Sequence, residues 1–136
     1  MNPTPMNPTP MKINRLDHVN IRTQNFDEMI AWYGQVLGLE RGNRPNFPFT
    51  GAWMYLGEYP VVHLVEFKTD GLVGGEVDLK LEHFAFSAQG LNEFEAKLER
   101  LNIRFERVDI TEFKFTQINI WDPDGNHIHV DFKLEG

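Results

Sequence analysis

One feature restricts this chain more than any other: its second half repeats the pattern of its first at an offset of about 65 residues. Leu16-Asp17-His18-Val19 aligns with Leu81-Glu82-His83-Phe84, and each quartet opens a stretch of alternating polarity. Over residues 15–22, Leu16, His18, Asn20 and Arg22 share one face while Val19 and Ile21 share the other, the period-two pattern of a strand. Leu79 to Ser87 alternates in the same way. The period then becomes helical in both halves. Phe26, Met29, Ile30, Tyr33 and Leu37 mark a first helix, with Asn25 at the N-cap, Glu28 three residues on and Gly38 at the stop. Leu91, Phe94, Leu98 and Leu101 mark a second, between Gly90 and Asn102.

Short strands are expected near 39–44, 50–56 and 60–67, and again near 103–109, 114–121 and 126–133. The last two are joined by Asp122-Pro123-Asp124-Gly125, where proline presets φ and glycine takes the left-handed position. Each half is therefore a βαβββ module, over 13–67 and 79–133. Such a unit cannot cover both faces of its own sheet. Two of them can curve together, a helix on one face of each sheet and the other faces lining a shared cleft. The expected class is α+β, a curved mixed sheet around a metal-binding cleft, in a single domain over 12–136. Outside the modules, Met-Asn-Pro-Thr-Pro occurs twice in residues 1–11, which reads as a disordered tail, and 68–78 carries three glycines and reads as a linker.

Metal enters the argument through the histidines. There are five: His18, His63, His83, His127 and His129. His18 and His83 occupy the first strand of each module, and His63 and His129 the last. Parity sets His18, His83 and His129 opposite the apolar residues that should meet the helices; around His63 both faces are apolar and parity decides less. A lone strand histidine is more often a hydrogen-bonded structural residue than a ligand. Two repeat-related pairs are harder to explain that way. The chain has no cysteine, so a metal must rest on nitrogen and oxygen donors. Imidazoles suit a divalent ion such as Zn, Ni, Fe(II), Co or Mn. His127 reads as a solvated or supporting neighbour of His129.

A net charge of −7 argues against a nucleic-acid surface, and no apolar run is long enough to span a bilayer. The expectation is a cytoplasmic protein whose partners are a small-molecule substrate and a second copy of itself.

The chain resembles the vicinal oxygen chelate superfamily, which includes glyoxalase I, extradiol dioxygenases, fosfomycin-resistance proteins and bleomycin-binding proteins. The resemblance is carried by Leu16-Asp17-His18-Val19-Asn20-Ile21, Ala31-Trp32-Tyr33 through Leu37-Gly38-Leu39-Glu40, Glu82-His83-Phe84-Ala85-Phe86 and Asp122-Pro123-Asp124-Gly125-Asn126. It implies a metal held by His18, His63, His83 and the residue at 129. There the family usually has a glutamate, and this chain has histidine. That departure replaces a carboxylate able to take a proton with a neutral imidazole. His63 and His129 are the candidate catalytic residues. Of the nearby carboxylates, parity favours Asp131 as the partner of His129 over Asp17, Glu66 or Glu82. Asn20, Arg22 and Tyr55 are the candidate substrate contacts, with Arg41, Arg44, Trp53, Phe115 and Gln117 as further ones. The resemblance implies a metal-dependent isomerase, lyase or dioxygenase, or alternatively a drug- or metabolite-sequestering protein of the bleomycin-resistance kind.

Overall fold

The computed structural model describes residue 11 and residues 14–67 and 81–134. The expected tail and linker lie outside these residues, apart from the exposed Met11.

The elements run β1 (Val19–Thr23), α1 (Phe26–Gln35), β2 (Glu40–Gly42), β3 (Gly51–Leu56) and β4 (Tyr59–Glu66), then β5 (Phe84–Ala88), α2 (Leu91–Arg100), β6 (Glu106–Ile110), β7 (Phe115–Trp121) and β8 (His127–Lys133). Each module makes one four-stranded mixed sheet, ordered β1-β4-β3-β2 and β5-β8-β7-β6. In both, the first strand runs parallel to the last, and the remaining pairs are antiparallel. This is the repeated βαβββ arrangement expected from the offset.

The local rules behave as the sequence requires. Gly38 at φ 73° lets the chain turn out of α1, and Asn102 at φ 61° does the same after α2. Asn25 stands at the N-cap of α1 but does not cap it with its side chain. That amide reaches across to Asp124, 2.7 Å away in the other module. The first strands are shorter than the alternation suggested, because pairing with β4 and β8 begins only at Val19 and Phe84. His18 and His83 each stand one residue before a ladder.

One apolar cluster serves both modules. It joins Met29, Tyr33 and Val36 of α1 and Met54, Val62 and Leu64 of the first sheet to Leu98, Ile118, Ile128, Val130 and Phe132 of module two. The alternation in β7 and β8 is clean: Ile118, Ile120, Ile128, Val130 and Phe132 are buried in this core. Gln117, Asn119, Trp121, His127, His129 and Asp131 therefore point away from it. The shared core thus occupies the apolar sides of the two sheets, and the histidine faces lie on their other sides.

The modules are also tied by a buried carboxylate. Asp122, in the turn between β7 and β8, accepts from the Tyr33 hydroxyl at 2.7 Å. It also accepts from the Asp124 and Asn126 amides at 3.0 and 2.9 Å and from Asn126 Nδ2 at 2.9 Å. Burial raises its pKa and these four bonds oppose the rise. Tyr33 loses much of its acidity for the same reason, burial first and the Asp122 charge next.

A hydrogen bond to a charged acceptor is worth about 1.5–3 kcal/mol, so Tyr33→Phe should lower stability by about 1.5 kcal/mol and Asp122→Ala by about 3 kcal/mol. Urea unfolding checks both; a Tyr33→Phe protein with unchanged midpoint would show that the modules are held by the core alone.

Candidate functional site

The sheet registers set the histidines. His63 lies beside Asn20 of β1 and opposite Trp53 of β3, so the three rings of His18, His63 and Trp53 meet on one face. His18 stacks on His63 with centroids 3.8 Å apart and planes 7° apart; Trp53 stacks on its other side at 4.1 Å and 15°. In module two His129 lies beside Ala85 and opposite Asn119. His83 stands 4.3 Å from the His129 ring and 5.4 Å from that of His127, which stacks on Trp121.

The four histidines singled out by the repeat are brought together as two pairs, His18 with His63 and His83 with His129. They do not form a single quartet within one chain. Among the described residues, the set of three or more ligand-type side chains whose donor atoms all lie within 4.8 Å is Glu82, His83 and His127.

Each of the four rings has one nitrogen engaged. Nδ1 of His18 donates to Asp17 at 2.8 Å, Nδ1 of His83 to Glu82, and Nδ1 of His129 to Asp131 at 2.8 Å. His63 donates through Nε2 to the Pro60 carbonyl at 3.0 Å. Carboxylates and carbonyls only accept, so each tautomer is fixed. In the neutral ring the other nitrogen carries the lone pair, and it has no hydrogen bond among the described residues. Metal-ligating histidines show this arrangement, the outer N–H held by an oxygen and the inner nitrogen left as donor. The donor set therefore fits a divalent ion. His127 differs, because Nε2 faces Asn119 Oδ1 at 2.8 Å and Nδ1 faces Glu82 at 3.2 Å. To ligate a metal it must give up one of these bonds.

Asp131 stands where strand parity placed it, against His129. Asp17 and Glu82 also bond their neighbouring histidines, which parity argued against. The reason is local: neither residue is in a strand, so alternation does not govern them. Their carboxyls are held below the usual range, Asp17 by the bond from His18 and Glu82 by the bonds from His83 and His127.

Asn20 and Arg22 line an open cavity of about 660 Å³ at the seam between the edge strands β1 and β5, together with Glu82, His83, Asp124 and His127. Among the described residues Arg22 has no carboxylate partner. Tyr55 lies elsewhere. The β3–β4 register shifts between Met54 and Tyr55, and the Tyr55 ring packs against Gly42 while its hydroxyl donates to the Asn43 carbonyl at 2.5 Å. Phe47, which meets Trp53 at 6.5 Å, and Phe49, stacked on Phe47, carry no signal in the sequence. Their stretch reads as an irregular loop, and periodicity carries no signal there.

The profile of the Glyoxalase/Bleomycin resistance protein/Dioxygenase superfamily matches residues 15–130. The chain is 28% identical over 126 residues to "Glyoxylase I 4" of Arabidopsis thaliana, covering 89% of this chain and 72% of that protein. It superposes on a glyoxylase/bleomycin resistance protein/dioxygenase domain from Frankia sp. EAN1pec with a TM-score of 0.73, at 19% identity and 92% and 96% coverage of the two chains. A lactoylglutathione lyase from Agrobacterium tumefaciens superposes with a TM-score of 0.67, at 18% identity and 90% and 96% coverage.

Burial, and then the charge of His18, lower the pKa of His63. Between that lowered value and the ordinary imidazole value of about 6.5 the unfolded chain holds more protons, so stability rises with pH across this window and is fully present above it. In chelator-treated protein the Tm should fall as the pH is lowered through about 6.5. His63→Phe, which keeps a ring between His18 and Trp53, should flatten that part of the profile.

Proposed function

Since the chain belongs to the Glyoxalase/Bleomycin resistance protein/Dioxygenase superfamily, we propose that it is a metal-dependent isomerase or lyase acting on a small substrate with adjacent oxygen atoms. The observation that carries this reading is the repeated ring chemistry. Each of four histidines has one nitrogen fixed by an acceptor and the other kept as a lone pair. The names borne by the Arabidopsis relative and the Agrobacterium structure favour isomerase or lyase chemistry over dioxygenation.

His18, His63, His83 and His129 would hold the ion, which would polarise the substrate oxygens as a Lewis acid. The chain's own residues do the rest. Burial keeps His63 neutral, with Nδ1 as its donor atom. His129 stands where the family has its glutamate, and its Nε2, the atom that would hold the ion, would take a proton only on leaving it. Asp131 holds the Nδ1 proton and stabilises the imidazolium that results. Asn20 and Arg22 orient the substrate from the seam, Arg22 through a guanidinium that has no carboxylate partner among the described residues. Tyr55 shapes the loop after β2 instead of touching substrate.

One chain offers two half-sites, so the complete site is assembled by a homodimer, module one of one copy facing module two of the other. A sequestering protein is the second reading. It is favoured by the exposed Phe47 and Phe49 beside the first half-site, and it would show as tight ligand binding without turnover.

Metal analysis of tag-free protein should find a stoichiometric divalent ion, lost on His18→Ala or His83→Ala. Asp131→Asn should weaken metal affinity or activity by about 10- to 100-fold. Activity is to be assayed with the methylglyoxal–glutathione adduct and with catechols, on the wild type and on His129→Glu. Absence of a bound ion, or an ion indifferent to both histidine substitutions, would sink the proposal.

A further inference from the structure

The loop between β2 and β3 carries features that neither the fold nor the metal ligands require. Phe47 and Phe49 are 41% and 47% exposed, yet their rings lie parallel within 5°, centroids 5.3 Å apart. Phe47 also meets Trp53 at 6.5 Å. Through Trp53 the contacts continue to His63 and then His18. Five rings thus run in sequence from the open surface to the first histidine pair.

Arg44 sits over both phenylalanines, its guanidinium carbon 5.0 Å from each centroid. Its seat is built. Nη2 donates to the Phe49 carbonyl at 3.0 Å, and Gly51 leaves room for it, since a Cβ there would stand 2.7 Å from Nη2. The loop is held at both ends, by Tyr55 on Asn43 and by the Glu66 amide on the Thr50 carbonyl at 3.0 Å. Pro45 and Pro48 stiffen it between. Among the described residues Arg44 has no ion pair, in a chain with 20 acidic and 13 basic side chains. A guanidinium spread over aromatic faces, with donors left over and no carboxylate of its own, is a receptor for an external anion.

We propose that Arg44, Phe47, Phe49 and Trp53 form a subsite for a substrate carrying a planar apolar group and a carboxylate, that is, an aryl or arylalkyl carboxylate. The ring lies against the phenylalanines and Trp53, and the carboxylate takes the free N–H groups of Arg44. The substrate's reacting end then faces His63 and His18. This deepens the enzyme reading and rests on it for the direction in which the substrate enters. Binding at the subsite itself needs no metal.

The test uses chelator-treated full-length protein titrated with 2-naphthoate, 2-naphthol and acetate, followed by calorimetry. 2-Naphthoate should bind and acetate should not. Arg44→Gln should weaken 2-naphthoate about tenfold while changing 2-naphthol little. Phe47→Ser with Phe49→Ser should remove most of the affinity for both arenes. All three side chains touch solvent, and an unchanged Tm verifies that each variant folds. Wild-type protein that ignores 2-naphthoate, or variants that bind it equally well, would overturn the assignment. So would phenylalanine variants that dissociate a dimer in sedimentation with 2-naphthoate affinity intact, since the rings would then serve a second copy of the chain. The two readings fail separately: without a metal site, 2-naphthoate still binds and His18→Ala leaves it bound.

Discussion

The buried carboxylate of Asp122 is the joint on which this molecule turns. A carboxylate leaves water at a high cost unless its lone pairs are taken, and here four donors take them. Three belong to its own turn and fix the hairpin that carries His127 and His129. The fourth is Tyr33, on the helix of the other module. One side chain therefore sets both the shape of the β7–β8 hairpin and its position against α1. With α1 seated there, the apolar sides of both sheets share a core and the histidine faces are turned outward.

That outcome separates what the sequence could convey from what it could not. Periodicity and turn signals located the strands and both helices of the described residues, and the offset repeat matched His18 with His83 and His63 with His129, whereas the ring contacts pair His18 with His63 and His83 with His129. Those are short-range consequences of pairing. The relation of one module to the other is not written in any period. It depends on Tyr33 meeting Asp122 and Asn25 meeting Asp124, contacts between residues 89 and 99 positions apart. Parity also failed where it was pressed beyond the ladder. Asp17 and Glu82 precede their strands, and free of alternation they fold back onto the adjacent imidazoles. The aromatic loop was silent for a different reason: prolines and an absence of period hide residues whose contacts are made only in three dimensions.

The chemistry of the half-sites follows from composition. Without cysteine, and with histidine at 129, the inner donors are neutral rings and the negative charge stands one bond further out, on Asp17, Glu82 and Asp131. An ion held so would keep more of its own charge than one bound directly by carboxylate.

The strand order has a last consequence. β4 and β8 are hydrogen-bonded on both sides and carry His63 and His129, each only 7% exposed. His18 and His83 precede edge strands and stand in solvent. Each pair thus joins a buried ring to an exposed one. An ion held by such a pair would keep one side toward solvent, open to exchange with it.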